Sequence, residues 1–124
     1  MISKLFSILL LPLIFISCSS KQPIHSISST ILLKTPTMKF YDKGFITKYH
    51  DHIHLQIFEV GHLALDLKIY KDEVCEGVLQ CISLSEFNKK YLHSTYKDNF
   101  LYNLFSKNKI YHKDKKNKIL IKVK

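Results

Sequence analysis

Three histidines stand at alternate positions, His50, His52 and His54, and His62 follows a short way along. On an extended strand three such imidazoles project from one face, and imidazoles so arranged bind zinc, copper or nickel. Asp51 projects from the other face and does not join them. A hairpin whose solvent face carries histidine explains the pattern more simply. The three are therefore weak metal candidates, and neither a metal nor another cofactor is expected. Other catalytic chemistry has no visible carrier. There is no G-x-S-x-G elbow, no H-E-x-x-H, no P-loop and no dinucleotide glycine pattern. Carboxylates such as Asp66, Glu73 and Glu86 are scattered, and three glycines in all leave little for a phosphate cradle. The chain is not expected to be an enzyme.

Chemistry of another kind is written at the N-terminus. Met1-Ile2-Ser3-Lys4 carries one positive charge, and an apolar run from Leu5 to Ile16 follows, broken only by Ser7 and Pro12. A charged start, a short apolar core and small residues at the exit describe a secretory signal peptide. The run is too short for a membrane span of about 20 residues. A buried helix is disfavoured by Pro12 and by the lack of an amphipathic face. Phe15-Ile16-Ser17-Cys18 resembles the lipobox of bacterial lipoproteins. That resemblance implies removal of residues 1–17 and acylation of the Cys18 thiol, so that several acyl chains hold the protein to a membrane. Ser19, where an aspartate would signal inner-membrane retention in that family, implies the outer membrane, with the domain facing the periplasm. The alternative is a cleaved signal without lipid.

Two cysteines remain, Cys75 and Cys81, spaced C-x5-C. The spacing excludes a C-x-x-C redox pair, and no nearby cluster supplies the further ligands of a zinc site. Export to an oxidising compartment favours a disulfide, with buried free thiols as the alternative. Such a bond closes a small loop, and in the chain-entropy model contributes about 2 kcal/mol.

The net charge is +9, and all 19 basic residues are lysine. Without arginine forks, nucleic-acid readout is not expected. Residues 107–124 hold eight lysines and one aspartate. Lys113, Lys115, Lys116 and Lys118 thus form a candidate basic patch for anionic lipid, lipopolysaccharide or an acidic partner. The simpler alternative is a solvated hairpin whose lysines protect a sheet edge.

These residues must be positioned by a small, sheet-rich domain. Residues 18–29 are serine-rich and aperiodic, and read as a lipidated tether. Residues 30–124 read as one domain. Ile31-Leu32-Leu33 is a first strand, ended by a turn at Thr35-Pro36-Thr37. Met38 to Tyr41 and Phe45 to Tyr49 read as two strands joined by a turn at Asp42-Lys43-Gly44. The clearest signal is a period of two from Ile53 to Tyr70, read as a half-buried antiparallel hairpin with Gly61 in its turn. Ser83-Leu84-Ser85-Glu86 fits a capping box and predicts a helix. A second helix is expected from about Asp98 to Ser106, with Phe100, Leu101, Leu104 and Phe105 as its apolar stripe. Ile110–His112 and Ile119–Val123 read as a last hairpin. The fold expected is α+β: a mainly antiparallel sheet, curved or half-barrel-like, with two short helices.

From Phe40 to Cys75 the chain faintly resembles the lipoprotein-localisation receptor and carrier family. The resemblance lies in Gly44-Phe45 and in Leu55-Gln56-Ile57-Phe58 leading to Gly61 and a second strand. It implies a half-open barrel that holds acyl chains, and no site residue carries over. The function expected is that of a lipid-anchored envelope protein with a non-enzymatic binding or adaptor role. The alternative is a carrier of acyl chains or lipoproteins on a concave sheet. A partner is expected among envelope proteins or lipids, without identification, and oligomeric state is unread.

Overall fold

The structure, a computed structural model, describes residues 22–124. The expected signal peptide, its expected cleavage and the expected acylation of Cys18 fall outside the described residues. Apolar residues that recur every second position build strands, because successive side chains of a strand point to opposite faces. The strands are β1 (His25–Lys34), β2 (Lys39–Lys48), β3 (His52–Glu59), β4 (His62–Tyr70), β5 (Glu73–Glu76), β6 (Gln80–Ser83), β7 (Tyr111–Asp114) and β8 (Ile119–Val123). Between β6 and β7 come helices α1 (Leu84–Tyr91) and α2 (Phe100–Ser106). All eight strands form one sheet in the order β6-β5-β4-β3-β2-β1-β8-β7. Every pairing is antiparallel. The sheet is open, with β6 and β7 as its edges, and does not close into a barrel. The class is α+β.

Hairpins between sequence neighbours make every rung of the sheet but one. The exception is β1 with β8, where Ile31 lies opposite Val123 and Lys34 opposite Leu120. That pairing joins the two ends of the described chain. One face carries the core, to which Ile31, Leu33, Ile46, Leu55, Ile69 and Ile121 all contribute. The helices cover it, and the Phe105 ring is wholly buried (0 % exposed). Helix α1 starts where the capping box places it: the Ser83 hydroxyl accepts the Glu86 N–H at 3.2 Å. Helix α2 starts at Phe100, two residues later than expected, and buries Leu101, Leu104 and Phe105. Asn88, itself buried, donates its side-chain amide to the Lys97 carbonyl at 2.8 Å and so pins α1 to the loop before α2.

Two boundaries differ from the sequence reading. The expected turn at Asp42-Lys43-Gly44 is the middle of β2, where Ile31, Thr30 and Ser29 of β1 face these three residues in turn. Gly44 is there for space. A Cβ on it would stand 2.3 Å from the Gln56 carbonyl oxygen and 2.6 Å from Ile31 Cδ1. The β1–β2 turn is the one expected at Thr35-Pro36-Thr37, where the Thr35 hydroxyl accepts the N–H groups of Thr37 and Met38. Second, β1 begins at His25 rather than near Thr30, so residues 25–29 belong to the sheet and not to a tether. Serine-rich composition hides this strand, because what holds it is its partner: Ser26 and Thr47 hydroxyls bond at 3.2 Å and Ile27 packs on the core.

Candidate functional site

Alternation along β1 and β8 sends Ile31, Leu33, Ile119 and Ile121 into the core. The residues between them, Thr30, Leu32, Lys34, Leu120 and Lys122, are left on the outer face, half-buried or exposed. Register then sets lysines side by side. Lys34 lies opposite Lys39 on β2 and opposite Leu120 on β8, and Leu120 lies opposite Lys113 on β7. In the next row Leu32 lies between Tyr41 and Lys122. In the third, Thr30 faces Lys43, and the backbone N–H of Lys124 donates to the Thr30 carbonyl.

This face holds a depression of about 480 Å³. Leu32, Leu120 and Tyr41 supply its apolar lining, and Lys34, Lys39, Lys122 and Lys124 supply its charge. The Lys124 ammonium sits 5.9 Å from the Tyr41 ring centroid and 3.4 Å from its hydroxyl. A second depression, of about 290 Å³, shares Lys34 and Leu120 with the first and adds Lys113, Lys115, Lys118 and Asp114. Among the described residues no carboxylate comes within ion-pair distance of any of these lysines. Like charges directly opposite on a sheet are destabilising, so this arrangement costs the fold something that an anion would offset.

The one carboxylate side chain lining either depression is already engaged. Asp114 accepts the Tyr96 hydroxyl at 2.6 Å and, from Asn117, both the side-chain amide at 2.8 Å and the backbone N–H at 3.1 Å. These donors, Tyr96 first, hold its pKa down to about 2. Burial pushes the Tyr96 hydroxyl above its ordinary value, with the Asp114 bond and charge adding to it. Burial also lowers His112, whose Nε2 lies 2.9 Å from the Tyr96 hydroxyl.

The sequence-predicted residues divide clearly. Lys113, Lys115 and Lys118 line the second depression, whereas Lys116 is exposed at the turn and lines neither. Their face extends to Lys34, Lys39, Lys122 and Lys124, of which the first two come from the other end of the chain. Only the period-two alternation of β8, with Leu120, Lys122 and Lys124 on one side, hinted at it. The histidines do not converge. His50 and Asp51 lie in the β2–β3 turn rather than on a strand, so strand alternation does not govern them. Asp51 meets His52, at 2.7 Å from Nδ1, instead of facing away. The His52 ring is buried and stacked against Tyr49 and Tyr70, with centroids at 4.5 and 4.9 Å. His54 Nε2 bonds Asp66 across β3 and β4 at 2.5 Å. Cys75 and Cys81 face each other across β5 and β6 and are bonded, with sulfurs 2.04 Å apart. Glu73 is close to both sulfurs, but the bond between them leaves no thiolate to ligate a metal. No helix of the described residues is long and apolar enough to cross a membrane.

Comparison with models of protein families, with curated proteins and with solved structures found no match to this chain.

Proposed function

We propose that this chain is a lipid-anchored, non-enzymatic binding protein of the cell envelope. In this reading residues 1–17 are removed, Cys18 carries the acyl chains, and the domain stands in the periplasm at the outer membrane. The binding surface is the lysine face of β2, β1, β8 and β7, and its partner is anionic. One observation carries the reading: Lys34, Lys39, Lys113, Lys122 and Lys124 share that face with no carboxylate in ion-pair reach among the described residues. Packing supports a binding face over a half-barrel carrier. Beneath the helices Phe105, Ile31 and Leu55 are fully buried, and a crevice beside Val74, Ile82 and Phe87 holds about 50 Å³, too little for an acyl chain.

Two measurements test it. A clickable palmitate analogue fed to cells should label the native chain and not Cys18→Ala. Retention of the full chain on a polyanionic matrix should fall steeply with salt. Retention should drop far more for Lys34→Glu with Lys122→Glu than for Lys89→Glu with Lys90→Glu on α1. Equal losses in the two pairs would reduce the lysine face to ordinary surface charge.

A further inference from the structure

We propose that the larger outer-face depression binds a single-chain anionic amphiphile. The head meets Lys34 and Lys122, and the chain lies along Leu32, Leu120 and the Tyr41 ring. The inference rests on the lysine face being the binding surface, and it names the ligand. A site for a bare anion has no use for two leucines and an exposed tyrosine between its cations. An apolar groove for an uncharged ligand has no use for a border of lysines. The two features lie on the same strands in register: Leu32 is directly opposite both Tyr41 and Lys122, and Lys34 directly opposite Leu120. Every residue of the apolar lining is therefore adjacent to a cation.

Size agrees. A depression of about 480 Å³ lies within the range of about 300–1,000 Å³ common for small-molecule sites. Lysine stems extend the apolar surface while their ammonium groups reach past it. An ammonium is a point charge without the fixed fork of a guanidinium, so carboxylate and phosphate heads both suit it. The occupant is a single molecule and not a bilayer surface. Leu32 and Leu120 are half-buried whereas Lys34, Lys39, Lys122 and Lys124 are exposed, and a lysine side chain is longer than a leucine. A headgroup layer would meet the ammonium groups first and leave the lining uncovered.

The test titrates octyl phosphate, inorganic phosphate and octanol against the full chain in phosphatidylcholine nanodiscs, following the methyl NMR signals of Leu32 and Leu120. Octyl phosphate should move these signals and bind at least about tenfold tighter than either half-molecule, since each methylene withdrawn from water adds affinity. Nonanoate should do the same. Lys34→Gln with Lys122→Gln should weaken octyl phosphate about tenfold, and so should Leu120→Ser, with the methyl signals of the core unchanged. Equal binding of inorganic and octyl phosphate overturns the amphiphile and leaves the anionic-partner reading standing. Signals that move with phosphatidylglycerol discs but not with octyl phosphate also overturn it, in favour of a bilayer. If no anion moves them, both readings fail.

Discussion

The Tyr96 hydroxyl donates a 2.6 Å hydrogen bond to the Asp114 carboxylate, tying the loop between α1 and α2 to the end of β7. Its proton is thereby committed, so the 2.9 Å contact with His112 requires His112 to present an Nε2–H. Phe100 and Tyr96 pack edge-on against that imidazole. The pH dependence follows from two lowered pKa values. His112 titrates below its ordinary 6.5 in the fold, so it favours folding above pH 6.5 and withdraws that support as pH falls below it. Asp114, held to about 2 against an ordinary 3.8, supports the fold above about pH 4 and is lost between pH 4 and 2. Thermal unfolding followed by circular dichroism should show Tm falling in both windows. His112→Gln should flatten the first and Asp114→Asn the second. A native Tm constant from pH 7 to 5 would remove the role given to His112.

Lys34 and Lys39 stand directly opposite each other with no carboxylate in ion-pair reach among the described residues. Lys39→Glu converts a like-charge cross-strand pair into an attractive one and should stabilise the domain by about 0.5 kcal/mol in urea titration. The same change should weaken binding to anions. A variant that loses both stability and binding would show that Lys39 does structural work instead.

Gly44 is closed in by the backbone of β3 and by Ile31. Gly44→Ala should cost about 1–3 kcal/mol, because the neighbour at 2.3 Å is a main-chain oxygen that moves only with its strand. Urea unfolding measures it directly. A neutral outcome would mean that β2 and β3 part more easily than their register suggests.

Val60 and Gly61 form the two-residue β3–β4 turn with φ of 50° and 79°. A β-branched residue is strained there, and Val60 is 96 % exposed, so nothing at the site rewards it. Val60→Asn should stabilise the domain by about 1 kcal/mol. That corresponds to a Tm rise of about 4–8 °C. An unchanged Tm would place a compensating interaction at the tip.

Much of this architecture was legible in local pattern. The period of two gave the central hairpin its register from Ile53 opposite Ile69 to Ile57 opposite Leu65, because only one phase buries Ile53, Leu55 and Ile57; towards the turn a bulge shifts the pairing and leaves Leu63 exposed. The capping box marked the start of α1, because the Ser83 hydroxyl can reach only the N–H groups of the turn that follows it. Local chemistry misled where the cause was distant. Asp42-Lys43-Gly44 reads as a turn by composition, yet a strand on either side keeps it extended. Alternation alone puts the histidines on one face, but His50 and Asp51 lie in a turn, where alternation does not hold. By itself, then, the sequence determined the lysine count and the alternation that keeps Leu120, Lys122 and Lys124 out of the core. Tertiary structure alone decided that Lys34 and Lys39 join them. The reason is the β1–β8 pairing, which sets Ile31 opposite Val123 across nearly the whole described chain and which no short-range pattern encodes.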